Sequence, residues 1–224
     1  MQFPLDDRAR AISDAFHAMY YHKPLDGADG RAWENTRWLG MKAHKNPLDL
    51  WNYQEILVET QPQVIIETGV CDGGSILYLA TIGSLIGIRT VIGIDIEIRE
   101  STAPLKKLGN VALIEGSSTD PGALDRVREL AAGRPALVIL DSDHARDHVL
   151  NELRLYCEFV PVGGYMIVED SNVNGHPVLP DHGPGPFEAV HDFLAENDCF
   201  EIDAFRCGKF HMTFNPGGYL KRVK

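Results

Sequence analysis

Cysteine is scarce in this sequence. The four cysteines contain no C-x-x-C pair and are too few for a disulfide-based scaffold. We therefore expect reduced thiols and a cytoplasmic protein. Only Cys71, which lies in a glycine-rich turn, is positioned for contact with a ligand, and a small space-filling side chain is the simpler interpretation of it.

Basic clusters and long apolar segments are also missing. The formal net charge is −11, and no run of Lys and Arg provides the basic surface that nucleic acid requires. The polar N-terminus has neither the basic nor the apolar region of a signal peptide, and no stretch approaches the roughly 18 apolar residues of a membrane-spanning helix. We expect no nucleic-acid partner and no membrane insertion.

The sequence does contain a regular alternation of strand and helix patterns from Val64 onward. Hydrophobic residues make up 44% of the chain and charged residues 24%, as in an ordinary globular protein. Continuous apolar runs are typical of strands that are buried on both faces, and amphipathic segments separate them. The pattern predicts an α/β fold with a doubly wound, mostly parallel sheet and an antiparallel C-terminal edge hairpin. The predicted strands are 64–68, 90–95, 111–115, 136–141, 165–170, 200–205 and 209–214, and the predicted helices are 75–87, 120–133, 145–160 and 187–197.

The first 60 residues have the pattern of a helical extension. Two helices are expected near 6–21 and 48–60, with a polar loop between them. Because this part is too small to form its own core, we expect it to pack on the sheet or on a partner subunit. The predicted organisation is an extension over 1–60 and a single globular unit over 61–224.

Acidic residues follow the predicted parallel strands, where open α/β sheets bind their ligands. The segment VILDSDHARDH (138–148) brings two acids to the end of one strand, and VED (168–170) brings two more to the end of the next. Three carboxylates that converge on one point repel each other unless a cation lies among them, and oxygen ligands favour Mg²⁺, Mn²⁺ or Ca²⁺ over zinc. We predict a Mg²⁺ site, with Mn²⁺ as the alternative ion, formed by Asp141, Glu169 and Asp170. Asp143 is the alternative to Asp141, and capping of the next loop and helix is the structural alternative for these acids.

His144 is the predicted general base. It lies three residues after Asp141 at the start of a helix, where an imidazole can accept the proton of a hydroxyl on the same rim. A purely structural role is the alternative for a single histidine. His148, one turn further along, is the weaker candidate.

The segment ETGVCDGGS (67–75) follows the first predicted strand and allows the backbone to approach a ligand closely. Its glycines do not form G-x-G-x-x-G, which argues against a nicotinamide-dependent oxidoreductase. The pattern E-x-G-x-x-x-G-G-S resembles motif I of class I S-adenosylmethionine methyltransferases.

That resemblance implies a role for each residue near a bound S-adenosylmethionine. Glu67 would face the amino end of the ligand, glycine N–H groups would line its carboxylate and sulfonium end, and Asp95 would bind both ribose hydroxyls. Ser117 or Ser118 would contact the adenine edge, and a turn with a helix cap is the structural alternative for these serines. The predicted cofactor-binding residues are Glu67, Gly69, Gly73, Ser75, Asp95, Ser117, Ser118 and Asp141.

A Pro- and Gly-rich loop over 171–186 leaves the strand that carries Glu169 and Asp170. Long loops in compact domains often act as lids. We expect this loop to cover the acceptor, with its polar side chains as candidates for the pocket wall; they are Asn172, Asn174, His176, Asp181 and His182.

Several longer segments resemble one family, the cephalosporin hydroxylase / rhamnosyl O-methyltransferase family, from about residue 35 to the C-terminus. They include TRWLGMKAHKNPLDLWNYQEIL, ETGVCDGGSILYLA, LDSDHARDHVLNEL, VEDSNVNGHPVLPDHGPGPFEAV and TFNPGGYLKR. The resemblance implies a Rossmann-like class I methyltransferase fold, S-adenosylmethionine, Mg²⁺ and a homo-oligomer. In related macrolide-sugar O-methyltransferases the metal ligands come from D-x-x-H and E-D motifs, which fall here on Asp141, Glu169 and Asp170, with His144 as the base.

The predicted function is therefore O-methylation of a hydroxyl, most readily a sugar hydroxyl, on a secondary metabolite or glycolipid. One alternative is a methyltransferase-like component of cephalosporin-type hydroxylation or methoxylation. Iron-dependent hydroxylation is disfavoured, because none of the nine histidines is followed two residues later by Asp or Glu. Two further candidates are a nicotinamide-dependent oxidoreductase and a non-catalytic partner protein that has kept the fold.

Overall fold

Residues 6–224 are described by the computed structural model. Within them, the helices and strands follow the predicted alternation along the chain. In chain order they are α1 (Asp7–His22), β1 (Arg37–Trp38), β2 (Met41–Lys42), α2 (Pro47–Thr60), β3 (Val64–Thr68), α3 (Gly74–Leu85), β4 (Val91–Asp95), β5 (Val111–Glu115), α4 (Pro121–Ala131), β6 (Ala136–Leu140), α5 (Arg146–Tyr156), β7 (Tyr165–Val168), α6 (Pro186–Glu196), β8 (Phe200–Ile202), α7 (Ala204–Gly208) and β9 (Tyr219–Arg222).

Seven strands form the main sheet in the order β5-β4-β3-β6-β7-β9-β8. The strands from β5 to β7 are parallel, whereas β9 runs antiparallel to both β7 and β8. The predicted Rossmann-like, mostly parallel sheet with an antiparallel C-terminal edge is confirmed. The small hairpin of β1 and β2 lies outside this sheet.

The predicted position of the last strand is wrong. Residues 209–214 contain no strand, and β9 takes the place beside β7. The reason is a tertiary contact, because Met212 and Phe214 are buried in a cluster with Tyr21 of α1 and Val178. The strand predicted over 200–205 ends at Ile202, after which α7 begins.

Helices cover both faces of the sheet, as the buried central strands require. Every residue of β3 and of β6 is buried. One face packs against α4, α5 and α6, and the opposite face packs against α2 and α3. This two-sided burial explains why the parallel strands are apolar throughout and have no alternating pattern.

The two predicted N-terminal helices correspond to α1 and α2. The side chain of Asn46 caps α2 by accepting a hydrogen bond from the Leu48 N–H, and Pro47 occupies the first turn. Tyr53 and Leu57 of α2 are buried in the same core cluster as Ile65 of β3, so α2 packs on the sheet. The division at residue 60 stays a prediction. No helix in residues 6–224 has the length and apolar character needed to cross a membrane.

The loop over 171–186 packs inward and does not form an open lid. Val173 and Val178 are buried in it. Asn172 Nδ2 lies 2.9 Å from His17 Nε2 on α1, and Asn174 and His176 both contact Glu188 Oε1 on α6 at 2.9 Å. These polar side chains therefore attach the loop to its neighbouring helices.

Candidate active site

One cavity of about 660 Å³ opens at the carboxyl ends of the parallel strands, where a doubly wound sheet binds ligands. Its wall includes most of the residues that the sequence predicted for the site, and these are Gly69, Asp95, Ser117, Ser118, Asp141, Asp143, His144 and Asp170. The wall also includes Tyr21, Trp33, His44, Cys71, Glu97, Arg99 and His148. The loop residues expected to contact the acceptor do not line this cavity. Asn172, Asn174 and His176 bond to neighbouring helices and hold the loop in place, whereas Asp181 and His182 are exposed at the surface.

The glycine-rich turn after β3 lies very close to the end of β6. Gly69 has a φ of +84°, and a Cβ at this position would collide with the main-chain oxygen of Asp141 at the end of β6. Asp95 closes the turn from the other side, since its Oδ2 accepts hydrogen bonds of 2.8 Å from the N–H groups of Val70 and Cys71. The acid after β4 thus orders the turn and also reaches the cavity wall.

The other motif residues lie behind this wall. Glu67 is fully buried, and its Oε2 accepts a 2.9 Å hydrogen bond from Ser75 Oγ. Gly73 is the N-cap of α3 with a φ of +81°, and a Cβ at this position would crowd the side chains of Leu105 and Met41. Glu67, Ser75 and Gly73 therefore support the cavity wall from behind. Their predicted contact with a cofactor stays a prediction.

The serines after β5 face the cavity beside His148. Ser118 Oγ lies 3.2 Å from His148 Nε2, and the main-chain oxygen of Ser118 accepts a hydrogen bond from Tyr156. Ser117 Oγ contacts Thr119 Oγ1 at 3.1 Å. His148 Nε2 also lies 3.1 Å from Ser142 Oγ and 3.7 Å from Glu152 Oε1, and His148 is not part of the group formed by Asp141, His144 and Asp170.

A buried lysine that the sequence analysis did not identify lies among the predicted metal ligands. Lys45 Nζ is 2.5 Å from Asp141 Oδ2, 2.7 Å from Glu169 Oε1 and 3.3 Å from Glu67 Oε1. The Lys45 side chain is only 3% exposed. Repulsion among these acids therefore does not by itself require a divalent cation, because an ammonium group already lies between them.

Burial and the charge of Lys45 shift the pKa values of these acids in opposite directions. Burial raises the pKa of Glu67 to about 7 and that of Glu169 to about 8, although Lys45 opposes both shifts. Burial also favours the neutral form of Asp141, but the charges of Lys45 and His144 outweigh it and lower the pKa of this carboxyl. Asp141 is accordingly the most firmly ionised of the three lysine partners.

His144 forms a second group with two carboxylates on the open side of Asp141. His144 Nε2 lies 3.3 Å from Asp170 Oδ2 and 3.6 Å from Asp141 Oδ1, and the ligand atoms of all three residues lie within 4.8 Å of one another. Burial lowers the pKa of His144, but the charges of Asp170 and Asp141 outweigh it and raise the pKa to about 9. With these carboxylates alone beside it, the imidazole is protonated at neutral pH.

Backbone geometry aims the Asp170 side chain into this group. Its φ is +51°, a left-handed conformation that a non-glycine residue rarely adopts, and its N–H donates to Asn215 Oδ1 at 3.2 Å. Strain of this kind is concentrated at functional sites. Consecutive acids at a strand end would otherwise point in opposite directions.

Two acids near this group have other contacts. The carboxylate of Asp143 is exposed and accepts a 2.7 Å hydrogen bond from the Ala145 N–H before α5, so Asp141 and not Asp143 is the acid that lies with His144 and Asp170. Glu169 accepts its hydrogen bonds from Lys45 and the Tyr53 hydroxyl on Oε1. Among the described residues, Glu169 is not part of the group in which the ligand atoms of Asp141, His144 and Asp170 converge, and its predicted contact with a metal stays a prediction.

A second cluster on the cavity wall is joined by its own polar contacts. His44 Nε2 lies 2.8 Å from Asp72 Oδ2, and the Arg99 guanidinium donates to Cys71 Sγ at 3.1 Å. Ser101 Oγ donates to the other oxygen of Asp72. We interpret this cluster as a hydrogen-bonded network that fixes the outer side of the glycine-rich turn.

The sheet order and the acidic group at the carboxyl ends of β6 and β7 define a Rossmann-like fold of the methyltransferase type. Comparison with known proteins gives the particular family. The family model for rhamnosyl O-methyltransferase/CmcI matches residues 30–223, and the chain belongs to this family. The resemblance inferred from the sequence motifs is confirmed.

Similar proteins cover nearly the whole chain. The rhamnosyl O-methyltransferase of Mycobacterium tuberculosis (strain H37Rv) is 39% identical over 217 residues, which are 95% of this chain and 85% of that protein. The enzyme of the same name from Mycobacterium leprae is 38% identical over 216 residues, with 95% and 91% of the two chains covered. A structure of CmcI described as Mg-SAM has a TM-score of 0.68 at 25% identity, over 89% of this chain and 82% of that one.

Proposed function

We propose that the chain is an S-adenosylmethionine-dependent O-methyltransferase that acts on a sugar hydroxyl, with a rhamnosyl glycoside as the acceptor. One observation carries the proposal: a single cavity joins a wall suited to the methyl donor with the group of Asp141, His144 and Asp170. Family membership supports it, because the curated relatives are named rhamnosyl O-methyltransferases.

The donor half of the cavity lies beyond β3, β4 and β5. Asp95 and Glu97 follow β4 and offer carboxylate oxygens to ribose hydroxyls. Ser117 and Ser118 follow β5 and offer hydroxyls and main-chain groups to an adenine edge. The donor's sulfonium end would then lie over Gly69, next to Asp141, since these two residues are in backbone contact range.

The acids beyond β6 and β7 fit a divalent cation. Asp141 Oδ1 and Asp170 Oδ2 are oxygen donors in one group with His144, and Mg²⁺ prefers one or two carboxylates together with water or substrate oxygens. Mn²⁺ accepts the same ligands. A bound divalent cation would lower the pKa of an acceptor hydroxyl and would weaken the hold of the carboxylates on the His144 proton.

His144 then has the position of a general base. Its Nε2 faces Asp141 and Asp170 at 3.6 and 3.3 Å, so the acceptor hydroxyl that it deprotonates must approach from the cavity side. The deprotonated oxygen attacks the sulfonium methyl carbon, the C–S bond breaks, and the sulfur leaves as a neutral thioether. The fold contributes chiefly by holding oxygen and methyl carbon close and in line.

We propose two further properties. The family resemblance implies a homo-oligomer, and the few cysteines without a C-x-x-C pair favour a cytoplasmic location. Size-exclusion chromatography with light scattering tests the first, and fractionation of the native cell tests the second.

The activity assay uses S-adenosylmethionine with a deuterated methyl group and methyl α-L-rhamnopyranoside as the acceptor. We expect transfer of the labelled methyl to the sugar, loss of transfer in EDTA and recovery with excess Mg²⁺. His144→Ala should lower kcat by roughly 10²–10⁴-fold, the usual contribution of a general base, with unchanged affinity for S-adenosylhomocysteine.

A matched control is His191→Ala, which changes an exposed histidine of α6. This variant should keep wild-type activity. A His144→Ala enzyme with wild-type kcat at saturating Mg²⁺ would show that the base has been assigned incorrectly. NADH serves as the control ligand, and its binding in place of the methyl donor would contradict the proposal.

A further inference from the structure

The cavity wall has two parts of different chemistry. Residues after β4 and β5 contribute carboxylates and hydroxyls. The N-terminal extension contributes two aromatic side chains, Tyr21 and Trp33, and the Trp33 ring lies 6.4 Å from the ring of His44. The group of Asp141, His144 and Asp170 belongs to the same wall.

The two aromatic rings pack against each other and form an aromatic surface in which Trp33 is the more exposed ring, because Tyr21 is only 7% exposed. The rings of Tyr21 and Trp33 are stacked, with centroids 5.5 Å apart and an angle of 23° between their planes. Trp33 Nε1 donates a 3.1 Å hydrogen bond to the main-chain oxygen of Tyr21. Phe214 supports both rings from one side, at 5.5 Å from Tyr21 and 6.3 Å from Trp33.

This surface is held against the β7 side of the sheet. His17 of α1 is stacked on Phe214 at 5.4 Å, and it pairs with Asn172 of the loop that follows β7. The loop thus contributes indirectly, by fixing the helix that carries Tyr21. Burial and the charge of Asp170 raise the pKa of Tyr21 to about 12, so its hydroxyl stays protonated beside the acids.

We propose that Tyr21 and Trp33 form the subsite for the sugar ring of the acceptor, which is a neutral glycoside. This inference rests on the proposed O-methyltransferase function. A pyranose ring exposes C–H groups on one face, and a 6-deoxy sugar adds a methyl group, so an aromatic wall can bind that face while hydroxyls point to His144 and Asp170.

Most charges around the aromatic part of the wall disfavour a phosphorylated acceptor. In residues 6–224 the one cation over the two rings is Arg31, which lies 5.9 Å from the Tyr21 centroid and 5.5 Å from the Trp33 centroid and is paired with Glu34 at 3.8 Å. Asp141, Glu169 and Asp170 lie at the strand ends here, and Lys45 is already shared by two of them and by Glu67. The diphosphate of a sugar nucleotide would add negative charge to this acidic region. We therefore expect the wall to prefer a simple glycoside over a nucleoside-diphosphate sugar.

The test measures acceptor binding separately from catalysis. Saturation-transfer NMR and calorimetry follow methyl α-L-rhamnopyranoside binding to protein saturated with S-adenosylhomocysteine and Mg²⁺. Trp33→Leu removes an aromatic ring of the proposed subsite, Trp33→Phe keeps a smaller ring, and Trp51→Leu is the control because Trp51 is exposed on α2 and contacts Glu55.

Trp33→Leu should weaken sugar binding, and raise the acceptor KM, on the order of tenfold, as expected for loss of an aromatic anchor. Trp33→Phe should lose less affinity than Trp33→Leu, and Trp51→Leu should match the wild type. The affinity for S-adenosylhomocysteine should be unchanged in all three variants, which also shows that they are folded.

Two results would overturn the subsite: wild-type sugar affinity in Trp33→Leu, or tighter binding of a thymidine-diphosphate sugar than of the glycoside by wild-type protein. Failure of the proposed function has a different signature. In that case the wild type transfers no methyl group, whether or not the sugar binds through Trp33.

Discussion

Removal of the buried ammonium group of Lys45 should destabilise the protein strongly. In Lys45→Met, Glu67, Asp141 and Glu169 lose a cation that lies 2.5–3.3 Å from their oxygens. Deletion of one partner from a buried ion pair costs about 3–5 kcal/mol, because the remaining charge is left without compensation. In a chain of this size each kcal/mol lowers Tm by about 2–4 °C, so we expect a decrease of roughly 6–20 °C.

Differential scanning calorimetry in EDTA measures this decrease without any contribution from metal. Lys42→Met is the matched control, since Lys42 lies only three residues earlier on the edge of β2 and should affect Tm little. Added Mg²⁺ should restore part of the lost stability in Lys45→Met, because a divalent cation supplies positive charge at the same acids. A change of about 2 °C is the least that a loss of one kcal/mol would produce. If the Tm of Lys45→Met in EDTA lies within about 2 °C of the wild-type value, the view that Lys45 compensates these buried charges is refuted.

The remaining predictions concern the metal ligands, the glycine turn and the attachment of α1. Asp170→Asn should weaken Mn²⁺ binding at least about tenfold in calorimetry, whereas Asp143→Asn should leave it unchanged, since metal–carboxylate bonds need the ionised acid. Gly69→Ala should lower the free energy of unfolding by about 1–3 kcal/mol in urea titrations, because it adds strain and a collision, whereas Gly109→Ala has open space and should be neutral. Burial lowers the pKa of His17 to about 4, below its unfolded value of 6.5, so its stabilising effect is complete above pH 6.5 and is lost as the pH falls toward 4. The loss is about 2 kcal/mol at pH 5, and hydrogen exchange should show α1 opening there in the wild type but no such pH dependence in His17→Asn.

The sheet was predictable because its determinants are local. A strand that is covered on both faces must be apolar throughout, and this is visible in VIIET and ALVIL without knowledge of their neighbours. The acids at the strand ends were predictable for the same reason, since parallel topology alone brings Asp141 and Asp170 to one edge.

The contacts across the chain were not predictable from spacing. Lys45 is separated by 96 residues from Asp141 and by 124 from Glu169, and nothing in the surrounding AHKNP segment marks it as buried. The only signal was indirect: so many acids at one edge require a positive partner, and a lysine can meet that requirement as well as a metal can.

The edge of the sheet shows the same limit. Residues 209–214 have the composition of a strand, but Met212 and Phe214 pack beneath α1, and this contact depends on the position of an element far earlier in the chain. The aromatic wall of Tyr21 and Trp33 was missed for the same reason. Its residues belong to an extension whose place on the sheet could not be deduced from its own helical pattern.

The most direct test is the anomalous diffraction of a crystal grown with Mn²⁺ and S-adenosylhomocysteine. We expect one strong manganese peak bonded to carboxylate oxygens of Asp141 and Asp170, next to the sulfur of the bound product and with Lys45 still on the far side of Asp141. A cavity that holds S-adenosylhomocysteine but shows no peak at these carboxylates, or shows the peak at His44 and Asp72, would contradict the account.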